Sequence, residues 1–204
     1  MPFQEIFRQQ NDGGRVRAKF LSRVFGIFSE KIVELWTHNA GAAYASLGRP
    51  TIHVQGADGG INPYTLDFTL QHRGSGRVFI AEMKCEIEFN NFRYLVLERP
   101  DQLEHHNKPA FAAIKEAAIN PHNHQAYVNG HLQPLDGAIL IWGAATQAGK
   151  NSVVKAYGFH DVLTIEEICC DLVQWNDQAY SDLIETRRQW CNELFDGLIS
   201  CRLA

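Results

Sequence analysis

The chain has 204 residues, 45% hydrophobic, 11% aromatic and 21% charged, with a formal net charge of −4. That length and apolar content fit one domain that buries its own core, and they exclude a disordered chain or one that needs metal or disulfide staples to fold. The longest apolar stretch, GAILIWGAA at 137–145, is nine residues long, far below the ~20 that cross a bilayer. No signal peptide is visible, because charge interrupts the first apolar stretch. Cys85, Cys169, Cys170, Cys191 and Cys201 make an odd count with no CxxC spacing. They read as reduced, small buried hydrophobes in a cytoplasmic protein without membrane contact.

The first segment is basic. Residues 1–50 hold seven Lys or Arg against four Asp or Glu, and Arg15, Arg17, Lys19 and Arg23 cluster where a phosphate backbone could dock. Residues 16–38 have apolar positions at helical spacing and predict a long first helix. A strand follows at 51–54, after Arg49-Pro50, and the Gly-rich 56–63 predicts a loop. Strands at 64–70 and 77–87, joined by 71–76, predict a hairpin. A helix at 101–119, interrupted or restarted at Pro109, leads to a loop over 120–134. The continuous apolar run 137–142 predicts a strand covered on both faces, and 153–158 a further strand. From Thr164 the chain reads as helical, with Thr164 as cap and a last helix over about 179–200. The expected order is therefore α-β-β-β-α-β-β-α-α. The C-terminal helices carry most of the acidity: residues 161–204 hold three basic against nine acidic residues. That face would repel DNA.

The hairpin carries the chemistry. Alternation along a strand puts Leu66, Phe68 and Leu70 on one face of the first strand, with Asp67 on the other. On the second strand Phe79, Ala81 and Met83 are apolar-facing, and Glu82 and Lys84 share the opposite face. Asp67, Glu82 and Lys84 can thus converge. Two neighbouring carboxylates repel unless one protonates or a cation neutralises them. Mg²⁺ does this with one or two carboxylates plus water and substrate phosphate, and the Met83 carbonyl is a further oxygen between the two side chains. Lys84 would then lie beside the water that such an ion activates.

Asp67, a gap of fourteen residues, and Glu82-Met83-Lys84 within FIAEMKCEI resemble the PD-(D/E)XK nucleases. The resemblance covers residues 16–142. It implies an α/β fold with a restriction-endonuclease-like mixed-sheet core of order αβββαβ, here at 1–160, with a helical C-terminal addition at 161–204 on the same domain. It further implies Mg²⁺-dependent hydrolysis of DNA, with Mn²⁺ as a substitute, Asp67 and Glu82 as metal ligands and Lys84 as the catalytic cation. The family's G-x-x-x-E on the first helix corresponds to Gly26 to Glu30, with Glu34 one turn on. The glutamine that some members carry after the lysine strand corresponds to Gln102. Leu66 stands where many members have proline.

Two further patterns are weaker. Ala144 to Lys150 approaches a phosphate loop, but Asn151 replaces the hydroxyl residue, so a strand-connecting turn is expected. His105-His106 and His122, His124 and His131 lack metalloprotease spacing and read as polar loops, while Trp36, Trp142, Trp175 and Trp190 read as core. The resemblance implies a nuclease acting on duplex DNA, with a homodimer as the arrangement that would cut both strands. A catalytically inactive DNA-binding or protein-interaction module of the same fold, and a hydrolase with another substrate, remain the alternatives.

Overall fold

The computed structural model describes residues 20–55, 60–84 and 94–200. The basic residues Arg15, Arg17 and Lys19, and Cys85, lie outside the described residues. Helix α1 spans Phe20–His38 and buries a stripe at three- and four-residue steps, Ile32, Val33 and Trp36. It stops where Asn39 accepts from the Gly41 N–H at 2.9 Å and donates to Asp177 at 2.8 Å. There follow β1 (Tyr44–Gly48), β2 (Pro50–Gln55), β3 (Ile61–Thr65), β4 (Phe68–His72) and β5 (Val78–Lys84). After β6 (Val96–Leu97) and a 3-10 turn at Pro100–Leu103 comes helix α2 (Pro109–Ile119). Strands β7 (Ala126–Val128), β8 (His131–Gln133), β9 (Ala138–Trp142) and β10 (Ala144–Ala145) precede helix α3 (Gln147–Tyr157). Strand β11 (Asp161–Thr164) and helices α4 (Ile165–Gln174) and α5 (Gln178–Ser200) complete the chain.

The main sheet has five strands in the order β1-β4-β5-β9-β11. Neighbours β1, β4 and β5 run antiparallel, whereas β9 and β11 continue parallel to β5. A second, antiparallel sheet has the order β3-β2-β7-β8. The protein is thus a mixed α/β fold.

Alternation along the central strands makes two cores. Phe79, Ala81, Ile139 and Ile141 face α1 and α4, packing with Trp36, Ile165 and Leu172. Val78, Ile80, Leu140 and Trp142 face the other way, onto Phe111 and Ile114 of α2, Val153 of α3 and Ile52 and Ala126 of the second sheet. Strand β9 is buried throughout because both of its faces are covered, as its continuous apolar run predicts.

Several expectations need correction. The strand expected at 64–70 is two strands in two sheets, bent at Leu66-Asp67. Residues 153–158 belong to helix α3 up to Tyr157, and the strand lies at 161–164 instead. Burying Val153 against the core outweighs the modest helix penalty of β-branched residues. The expected loop at 120–134 contains the hairpin β7–β8, turned by Asn129 (φ 50°) and Gly130 (φ 79°), a two-residue turn with both φ positive. Trp190 is 55% exposed, not core, because α5 runs on past its packed first turns with Leu194 and Leu198 also exposed. Cys170 and Cys191 are exposed as well. Thr164 does cap α4, accepting the Glu167 N–H at 3.2 Å. Among the described residues, no helix is long and apolar enough to cross a membrane.

The Gly149-Lys150 pair serves packing. Thr146 caps α3 by accepting the Gly149 N–H at 2.9 Å, and Lys150 pairs with Glu167. A Cβ on Gly149 would stand 2.1 Å from the Leu97 carbonyl oxygen of β6. Gly149→Ala should therefore push α3 off β6 and lower stability by at least the ~1–3 kcal/mol of an overpacked core. Urea unfolding checks this, and unchanged stability would contradict the close contact.

Candidate active site

Leu66 and Asp67 form the bend between the two sheets. Leu66 is fully buried in the α2-side core, while Phe68 packs toward α1. Phe68 pairs with Ala81, so Asp67 comes opposite Glu82 where the β4–β5 ladder ends. There the Asp67 Oδ2 accepts the Met83 N–H at 2.8 Å, doing what a strand carbonyl would otherwise do. A carboxylate fixed to β5 through the backbone has little rotational freedom left.

Glu82 and Lys84 follow Val78 and Ile80 on the face toward α2. The Glu82 side chain is 12% exposed, and its Oε1 lies 2.5 Å from Lys84 Nζ. Its other oxygen, Oε2, is buried and has no hydrogen-bond partner. Burial pushes the Glu82 carboxyl above its ordinary value; the Asp67 charge adds to the shift, while the charge and hydrogen bond of Lys84 and the nearby Asp67 backbone N–H oppose it. Lys84 Nζ also lies 5.6 Å from the centroid of the Phe111 ring on α2, within reach of a cation–π attraction.

On the other side of Asp67 opens a cleft of about 630 Å³ between α1 and the ends of β1 and β4, lined by Glu30, Glu34, His38, Arg49 and Asp67 among others. A bulge between Ser46 and Gly48, where Gly48 takes φ +114°, turns the chain out of the main sheet toward β2. The turn delivers Arg49 to the cleft. Its guanidinium bridges two carboxylates, at 3.5 Å from Asp67 Oδ1 and 3.4 Å from Glu30 Oε2.

The structure thus brings Asp67, Glu82, Met83 and Lys84 together and ties Glu30 to them through Arg49. Gln102 sits in the turn after β6, 5% exposed. Its Oε1 accepts from the Glu98 and Arg99 N–H groups at 2.7 and 2.9 Å, and its Nε2 donates to the Val96 carbonyl at 3.0 Å. Its amide holds that turn. Sequence reasoning missed Arg49, whose signal was its place beside Pro50 at a strand start, and Phe111, whose role needs the packing of α2. His106 lies in a loop, as expected, between the 3-10 turn and α2, but it is buried rather than a polar surface position: it is 8% exposed, with its ring 5.0 Å from Phe111 and 6.0 Å from Trp142.

Among the described residues, no group of three or more His, Cys, Asp or Glu side chains is placed to hold a metal ion. The acidic donors on offer are a pair, Asp67 and Glu82. A pair suffices for Mg²⁺, which fills its remaining positions with water and phosphate. The buried Glu82 Oε2 without a partner is the observation that fits a cation, since a buried acceptor left unmade is costly. Comparison with protein-family models, curated proteins and solved structures gives no match.

The raised Glu82 carboxyl has a consequence for metal-free protein. A folded-state value above the unfolded one means that stability is lost as pH rises through the folded value. In the presence of EDTA, Glu82→Gln should therefore melt higher than wild type at neutral pH, and the gap should close as the pH falls through the carboxylate range. Thermal scans across pH read this directly; a lower melting temperature at neutral pH would show that ionised Glu82 stabilises the fold.

Proposed function

We propose that the protein is a Mg²⁺-dependent nuclease that hydrolyses DNA phosphodiester bonds, and that its fold is the restriction-endonuclease-like core. The observation that carries this reading is the meeting of Asp67, Glu82 and Lys84 where β4 and β5 part, with one buried Glu82 oxygen unpartnered. The order of α1, antiparallel β1-β4-β5, α2 and a parallel β9 supports it, being the αβββαβ order that the resemblance implies.

Asp67 and Glu82 would hold the ion, with the Met83 carbonyl between them as a further oxygen. A divalent cation, Mg²⁺ or Mn²⁺, supplies a water of lowered pKa and offsets charge on the phosphoryl oxygens. The chain does the rest. Met83 fixes Asp67 through its N–H, so that carboxylate keeps its aim without a substrate present. Lys84, drawn toward Glu82 and resting against Phe111, presents its ammonium where it can orient the attacking water and stabilise the pentavalent transition state. In the hydrolysis a water gives up a proton to solvent as its oxygen bonds to phosphorus, a P–O ester bond breaks, and the departing oxygen takes a proton from solvent. Glu30 contributes from α1, at the far side of the cleft.

Duplex DNA would be met by basic residues such as Arg15, Arg17 and Lys19, whose charge suits backbone phosphates. Cutting both strands takes two such centres, which a homodimer supplies. The exposed, unbridged Cys170 and Cys191 suit a cytoplasmic location.

One feature favours a second reading, a module that binds DNA without cutting it: Lys84 and Arg49 already pair with the site's carboxylates. Incubating supercoiled plasmid, linear duplex and single strands with Mg²⁺, Mn²⁺ or EDTA separates the two. Metal-dependent cleavage by the wild type, reduced by about 10²-fold or more in Lys84→Ala, is the predicted result. Duplex binding without cleavage of any substrate would transfer the assignment to the binding module.

A further inference from the structure

Arg49 lies outside the acid-x-lysine pattern, yet among the described residues it makes the ionic contact of Asp67. Its guanidinium spans Glu30 on α1 and Asp67 at the bend, at 3.4 and 3.5 Å. The two acids come from different elements, and opposed carboxylates need a cation between them. Here that cation is Arg49. A metal ligated by Asp67 would bring two positive charges close to the guanidinium, so the two cations compete for one carboxylate. Arg49 can leave. Its side chain is 56% exposed, and an exposed ion pair of this kind is weak and readily exchanged for water. The bulge at Gly48 anchors its backbone at the mouth of the cleft while the side chain reaches inward. A displaced guanidinium at the mouth is suited to the phosphate of a bound strand, whose oxygens it can meet in the same two-pronged geometry as a carboxylate.

We infer that Arg49 is a resident counter-cation of Asp67, shared with Glu30, which gives up that carboxylate and turns to a backbone phosphate of the substrate when a metal binds Asp67. The inference rests on the nuclease reading. Its test uses calorimetry with Mg²⁺ and Mn²⁺ alone, on wild type, Arg49→Gln and Arg49→Lys, together with duplex affinity in Ca²⁺. Removing the resident charge should tighten metal binding roughly fivefold or more, the effect of one unit charge at about 4 Å in water. Arg49→Gln should at the same time weaken duplex binding, and Arg49→Lys, which keeps the charge and guards against a folding defect, should fall between.

Metal binding by wild type with equal or weaker affinity in a folded Arg49→Gln would overturn the inference while leaving the nuclease reading intact. Tighter metal binding with unchanged duplex affinity would overturn the phosphate half. Absence of metal binding in wild type and Arg49→Gln alike would overturn both readings.

Discussion

The bend at Leu66-Asp67 is the constraint on which the rest depends. Leu66 is locked into the core on the α2 side and Phe68 into the core on the α1 side, so the chain must change sheets between them. The residue caught at the change has lost its ladder partner. Asp67 fills that gap with its own carboxylate, accepting the Met83 N–H. A single side chain thereby closes the end of the main sheet and directs negative charge at the point where two sheets part. Swapping in an apolar residue would leave the Met83 amide unmade, so fold and site share this position.

Around that point the structure accumulates charge that packing alone does not call for. Glu82 is buried beside Asp67 and its carboxyl is pushed upward by burial, while Lys84 and Arg49 approach the pair from opposite sides. Each cation satisfies one carboxylate oxygen, and Glu82 Oε2 is left over. A purely structural ion-pair network would be expected to satisfy that oxygen or dispense with the acid, because an isolated buried acceptor costs stability. On the nuclease reading proposed above, that unpartnered oxygen is where a further cation would bind.

Much of this was legible in the residues. The alternation of FIAEMK put Glu82 and Lys84 on one face, and the structure keeps them there. The fully apolar GAILIW announced the buried central strand, and Thr164 announced its helix. The bend was not legible, because YTLDFTL alternates without interruption and nothing local marks a change of sheet between residues 66 and 67. Only the long-range pairing of β3 with β2 and of β4 with β5 decides it. Helix α3 was hidden for a similar reason: Val153 and Val154 read as strand until the core that Val153 fills is known. The β7–β8 hairpin was available in Asn129-Gly130, a strong turn pair masked by the polar residues around it. For Arg49 the sequence marked only a strand start beside Pro50, since its role needs α1 and the bend to meet across the cleft.

The central claim is that Asp67 and Glu82 are ligands of one divalent cation. Crystals grown with Mn²⁺, measured at the manganese absorption edge, address it most directly. The account predicts an anomalous peak bonded to carboxylate oxygens of both Asp67 and Glu82, with the Arg49 guanidinium turned away from Asp67. A map with no peak at saturating Mn²⁺, or with a peak bonded to neither carboxylate, would contradict it.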